Sequence, residues 1–92
     1  MTYQWDSKKA HVNRRKHGVS FEEAASVFQD ATALTFDDTD HSDEELREMT
    51  IGLSTKGRVL FLSHCARGNG IRIISARKAT PKERKQYAEG LC

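Results

Sequence analysis

Between residues 19 and 30 the apolar positions of this chain repeat at helical spacing, and between residues 46 and 77 they repeat at strand spacing. In "VSFEEAASVFQD", Phe21, Ala24, Ala25 and Phe28 fall at i, i+3, i+4 and i+7, which makes one buried stripe. Ser20 and Glu23 stand as the two halves of a capping box, and Val19 is placed to staple onto Ala24. The preceding "WDSKKAHVNRRKHGV" also reads as a helix. Asp6 or Ser7 is its N-cap, bases fill its last turn where the dipole favours cations, and Gly18 is a left-handed stop. Its Ala10, Asn13 and His17 make a poor apolar stripe, so this helix is only half committed to a core.

The pattern then changes period. "ATALTF" (31–36) is β-branched, aromatic and alternating, a strand running into an acidic loop. "LREMTIGLS" (46–54) puts Met49, Ile51 and Leu53 on one face and Glu48, Thr50 and Gly52 on the other. "RVLFLSHC" (58–65) and "GIRIISAR" (70–77) are more continuously apolar and read as central strands. The links "TKG" and "ARGN" are hairpin length, so these three strands form an antiparallel meander. A third helix follows: Thr80, Pro81 and Glu83 are N-cap, N1 and N3 of a second capping box, with Tyr87 and Leu91 facing inward one turn apart. The expected architecture is α+β: a two-layer domain with two N-terminal helices, an antiparallel sheet of three to four main strands and one C-terminal helix.

Length and composition bound this picture. The 92 residues suit a single domain over 1–92, with 37% apolar and 30% charged residues giving a small core under a polar surface. No apolar run approaches a membrane span, and "MTYQWDSKKAH" lacks the apolar stretch of a secretion signal, so a cytoplasmic protein is expected. Cys65 and Cys92 are expected to be ordinary thiols in such a compartment. Charge adds more, because the net of +2 hides an asymmetry. Residues 37–48 hold seven acids and one arginine, whereas residues 56–92 hold nine bases and two acids. The basic half points to a polyanionic ligand, and the acidic run to repulsion of wrong ligands or to a basic partner.

Candidate chemistry is sparse. Read as a calcium loop, the acidic run lacks either the glycine and final glutamate or the earlier ligands, depending on where the loop starts, so no metal site is expected. There is no serine elbow and no P-loop. Of the four histidines, His17 ends a helix, His41 sits in the acidic run, His64 points with Leu60 and Leu62 towards a core, and His11 lies on an exposed helix. Arg47 shares a face with Met49 and Ile51. Strict alternation sends Arg72 and Arg77 to opposite faces of the last strand, unless a bulge intervenes. Guanidinium forks on a sheet hold phosphate bidentately, with Lys78, Lys82, Arg84 and Lys85 extending the field.

These residues also carry a family pattern. "WDSKKAHVNRRKHGVSFEEAASVFQD", "DxxH" followed by "ExR" in "DTDHSDEELRE", the "IG" at 51–52, and "IRIISARKAT" with "ER" and Tyr87 behind it resemble the BrnT family of bacterial toxins over residues 3 to about 90. That resemblance implies a RelE-like fold and an endoribonuclease that cuts RNA without metal or cofactor. It further implies the toxin of a type II toxin–antitoxin pair, neutralised by a BrnA-like antitoxin whose DNA-binding region reaches operator DNA, in a heterotetramer. Carried over, the family's site is Lys16, His17 and Gly18 at the helix end, His41 in the loop, Arg47, Arg72, Arg77 and Tyr87, with Gly18 serving the backbone alone.

A mechanism follows in which the RNA's own 2′-hydroxyl attacks. Arg47, Arg72 and Arg77 hold phosphate and transition-state charge, His17 or His41 transfers protons, and Tyr87 orients a base or phosphate. Lys9, Lys16, Arg67 and Lys78 guide the backbone. Arg72 is expected to reach the RNA directly, with Arg77 shaping the site beside Tyr87. The alternatives are a nucleic-acid-binding or co-repressor subunit without catalysis, which binds with strong salt dependence, and a module whose acidic run docks a basic partner.

Overall fold

A computed structural model describes residues 2–38 and 46–90. The chain runs through β1 (Thr2–Gln4), α1 (Ser7–His17), α2 (Phe21–Ser26) continued by a 3₁₀ turn (Val27–Gln29), β2 (Leu34–Asp37), β3 (Arg47–Leu53), β4 (Val59–Arg67), β5 (Gly70–Lys78) and α3 (Pro81–Glu89). None of these helices is long and apolar enough to cross a membrane. His41, Leu91 and Cys92 lie outside the described residues, as does most of the acidic run.

The expected sheet of three to four antiparallel strands is corrected to five strands in a mixed sheet, ordered β1-β5-β4-β3-β2. The meander from β2 to β5 is antiparallel throughout. The added strand, β1, pairs parallel with β5 through Thr2, Tyr3 and Gln4. Three residues are too few to show a period of two. Gly70 lets this strand approach, because a Cβ there would collide with the Thr2 carbonyl.

Local signals act as expected at most helix ends. Asp6 caps α1 by accepting from the Lys8 and Lys9 amides at 2.8 and 3.2 Å. Gly18 closes it at φ 69°, donating its N–H to the Arg14 carbonyl. The Thr80–Glu83 box on α3 is complete. The box on α2 is only half made. Ser20 Oγ accepts from the Glu23 amide at 3.0 Å, but the Glu23 carboxylate turns away to accept from Ser54 Oγ at 2.7 Å and from the Arg58 guanidinium. A charge-assisted fork at a buried carboxylate outweighs one backbone amide. The same Arg58 donates to the Gly18 carbonyl at 3.1 Å, so α1, α2 and the β3–β4 turn meet in one ion-paired cluster.

Residues directly opposite on neighbouring strands share a face of the sheet. On the first face Leu60 and Leu62 of β4 and Ile73 and Ala76 of β5 close against Val19, Phe21, Ala24 and Val27, all essentially inaccessible. Val27 joins the anticipated Phe21 and Ala24 because the chain tightens into a 3₁₀ turn after Ser26. Asn13 is buried here too. Its amide donates to the Val19 and Ala76 carbonyls and its Oδ1 accepts from the Ala76 amide, doing at this point what a neighbouring strand would do.

Candidate active site

The second face of the sheet is where the arginines gather. On β4, Ser63 stands opposite Ser75, but His64 stands opposite Ile73, so Ile74 is an extra residue on β5. The apolar positions facing the helices are therefore 73 and 76, not 73 and 75. The one-residue slip changes the phase of the strand, and Arg72 and Arg77 come out on the same face.

The register then fixes a grid. Arg47 of β3, Cys65 of β4 and Arg72 of β5 form one cross-strand row, and β1 adds Gln4 at its end. Two strand spacings separate the two arginines, about 10 Å between Cα atoms. The next row is Met49, Ser63 and Ser75, and the one after it Ile51, Phe61 and Arg77. Arg77 thus lies about 13 Å along the strand from Arg72, with two serines between them. Three guanidinium groups thus rise from the corners of one grid, with Ser63 and Ser75 between them. Guanidinium groups so placed suit a phosphodiester, although the Arg77 fork is already engaged by Glu83.

The corners differ. Arg72 is half-buried and, among the described residues, makes no salt bridge; its charge helps hold the Asp6 carboxyl below its usual range, behind the amides of Lys9 and Lys8. Arg77 is committed: its Nη1 and Nη2 donate to the two Glu83 oxygens at 2.8 and 2.9 Å, and its guanidinium lies 4.2 Å from the centre of the Phe61 ring. That pair pushes the Arg77 pKa up and the Glu83 pKa down. Glu83 and Phe61 were not expected as site residues. Glu83 is legible as a capping residue, but its second bond depends on where α3 lands.

Tyr87 is one turn beyond Glu83, at the far end of the face from Arg72. Its hydroxyl donates to Asp30 Oδ2 at 2.6 Å and lies 2.9 Å from Thr32 Oγ1. Asp30 also accepts from the Leu53 amide at 2.8 Å and from Thr32. Partial burial opposes its ionisation, yet these bonds prevail and bring it to about 2. The Asp30 carboxylate in turn raises the Tyr87 pKa. The cluster clips α3 to the body of the protein.

The histidines divide. His17, half-buried, lines a groove between α1 and β5 together with Lys9 and Lys16. His64 is buried on the first face, its Nε2 2.6 Å from Thr50 Oγ1 and its ring edge-on to Phe28. Burial pushes its pKa down to about 4, and its Nδ1 has no hydrogen-bond partner among the described residues. Arg67 is exposed at the end of β4, and Lys78 is exposed at the end of β5.

A family model described as "Ribonuclease toxin, BrnT, of type II toxin-antitoxin system" matches residues 5–83. Among solved structures, the Brucella abortus ribonuclease toxin BrnT aligns with a TM-score of 0.66 at 23% identity, over 87% of this chain and 99% of that one. This likeness establishes the shared fold. No match was found among curated proteins.

Proposed function

The chain belongs to the BrnT family of ribonuclease toxins of type II toxin–antitoxin systems, and from that premise we propose that its second sheet face is the centre of a metal-independent endoribonuclease. The observation that carries this reading is the bulge at Ile74, which returns Arg72 and Arg77 to one face beside Arg47.

In the proposed reaction the RNA's 2′-oxygen attacks the adjacent phosphorus and the bond from phosphorus to the 5′-oxygen breaks. The products are a 2′,3′-cyclic phosphate and a 5′-hydroxyl. The proton lost by the 2′-hydroxyl goes to a base, and an acid returns one to the leaving oxygen; His17 or His41 serves in these transfers. Arg72 and Arg47 hold the phosphate and the negative charge that grows on its oxygens. Arg77, fixed by Glu83 and Phe61, closes the site towards α3. Tyr87 is a positioning residue, acting through α3 on Glu83 and Arg77. Lys9, Lys16, Arg67 and Lys78 guide the backbone.

In the cell this activity arrests translation and growth in the cytoplasm until a BrnA-like antitoxin, carrying a DNA-binding region, covers the basic face in a heterotetramer. The fold is RelE-like in this reading, and residues 1–92 act as a single domain.

The test is cleavage of single-stranded RNA by the purified protein in EDTA, with the ends identified by mass. Cyclic phosphate ends are expected, and Arg72→Ala lowers the rate by about 10² to 10³. Tight, salt-sensitive RNA binding without any cleavage product overturns the catalytic reading in favour of a binding or co-repressor subunit.

A further inference from the structure

β1 pairs with β5 only as far as Arg72. Beyond that point α1 takes the place of the missing strand, and Asn13 bonds both backbone groups of Ala76. Between helix and strand edge runs an open groove of about 350 Å³. Lys8, Lys9, Lys16 and His17 stand along it, over Val12 and Ile74.

We propose that this groove binds the phosphodiester backbone of single-stranded RNA flanking the cleavage point, as an extension of the arginine face; the inference rests on the ribonuclease reading above.

Three features argue for it. The first is spacing. Lys8, Val12 and Lys16 are four residues apart, as are Lys9, Asn13 and His17, so two adjacent lines of side chains run along the helix. Lys8 and Lys16 are about 12 Å apart along the axis, which gives a track of point charges. The second is sign: among the described residues no carboxylate lines the groove, and a row of cations on an open surface recruits polyanions. The third is continuity. Ile74 and Ser75, which form the strand side of the groove, are the bulge residues between Arg72 and Arg77. Ser75 is exposed. An RNA strand held by the arginines crosses the β5 edge at Ser75 and enters the groove directly. The same slip that assembles the arginine face therefore also opens its exit. Val12, 60% exposed, offers the sugars an apolar contact that water would otherwise meet.

The experiment is the anisotropy of a labelled, uncleavable 2′-O-methyl oligonucleotide, titrated over a range of salt. Replacing Lys8, Lys9 and Lys16 together by alanine is expected to raise the Kd at least tenfold at low salt. It also flattens the log–log salt slope by about 2, since each phosphate contact on a single strand contributes ~0.7. The Lys→Arg triple variant keeps the wild-type slope. Arg14→Ala with Arg15→Ala, which changes the charge of the same helix outside the groove, leaves the slope within about half a unit.

A wild-type slope in the alanine triple variant overturns the proposal, and so does an equal loss in the Arg14, Arg15 variant. So does loss of antitoxin binding with RNA binding intact, which assigns the groove to an acidic protein segment. Because the probe cannot be cut, groove binding by a protein that cleaves nothing overturns the ribonuclease reading and keeps this one. Cleavage with an unaltered slope does the reverse.

Discussion

The two faces of one sheet are built on opposite principles. On the first, Leu60, Leu62, Ile73 and Ala76 are sealed under α1 and α2, and the polar groups buried with them are nearly all bonded: Asn13 to three backbone groups, Glu23 to Ser54 and Arg58. On the second stand Arg47, Arg72 and Arg77, each only partly buried. The second face is not wholly open: Ile51 and Cys65, in the rows of Arg77 and Arg72, are fully buried there. In the proposed reading, stability belongs mostly to the first face and chemistry to the second.

The largest effect that tests this division is on the closed face. Phe21 is fully buried in the core and meets Trp5 edge-on, so Phe21→Ala is expected to cost about 3 to 5 kcal/mol, much of the stability of a domain this size. Urea unfolding measures it. A loss under about 1 kcal/mol would mean that α2 does not hold the sheet.

Arg72→Ala reverses the signature. Cleavage falls by about 10² to 10³, equivalent to about 3 to 4 kcal/mol of barrier, while the urea midpoint stays near that of the wild type. A variant that unfolds instead would place Arg72 with the structural residues and collapse the contrast between the faces.

Asn13 is the polar exception inside the closed face. Asn13→Ala leaves the Val19 and Ala76 groups without their partner, and about 2 to 3 kcal/mol of stability is expected to go with it. Hydrogen exchange at the Ala76 amide reads the change locally, and slow exchange retained there would show that water or another group replaces the asparagine.

His64 adds a dependence on pH to the same face. Its folded pKa, about 4, lies below the ordinary 6.5, so the unfolded chain takes up its proton first. Stability from this site is complete above about pH 6.5 and is lost progressively as the pH falls towards 4. Asp30 has a link of the same sign at lower pH: its depressed pKa, about 2, supports the fold fully above its usual 3.8, and that support is lost as the pH falls from there through 2. Melting curves between pH 7 and 4.5 should therefore drop for the wild type and flatten for His64→Gln. An unchanged slope in that variant would assign the acid sensitivity to carboxylates.

How far the sequence anticipates these faces depends on the range of each signal. Gly18 and the run Thr80, Pro81, Glu83 act within a few residues, and both helix ends form as read. The half-made box on α2 does not, because the partner that takes Glu23 is 35 residues away. β1 is too short to leave a period, and its place is set by Gly70, far along the chain. The slip in β5 lies between these cases. Isoleucine at both 73 and 74, with serine where alternation calls for an apolar residue at 75, is the trace of a bulge. Strict alternation read past it and separated two arginines that share a face. The pairing of Arg77 with Glu83 had no such trace, since it depends on the angle at which α3 returns to the sheet.

That pairing carries the smallest effect and the finest test of the open face. Glu83→Gln keeps the cap, because glutamine serves at N3, but removes the charge that both Arg77 nitrogens address. The ion pair is partly exposed, so its loss costs at most about 1 kcal/mol of stability. The face also becomes one unit more positive, and RNA should bind about two- to threefold more tightly, the scale of a screened surface charge. At the same time Arg77 keeps its place over Phe61 but loses its fork, so kcat should fall about two- to threefold by the same scale of surface interaction. A fall in KM together with a fall in kcat would identify Glu83 as a group that holds Arg77 in position at the expense of affinity. A fall in kcat with KM raised would instead make it part of the RNA-binding surface, and no change in either would leave Arg77 to the stability of α3.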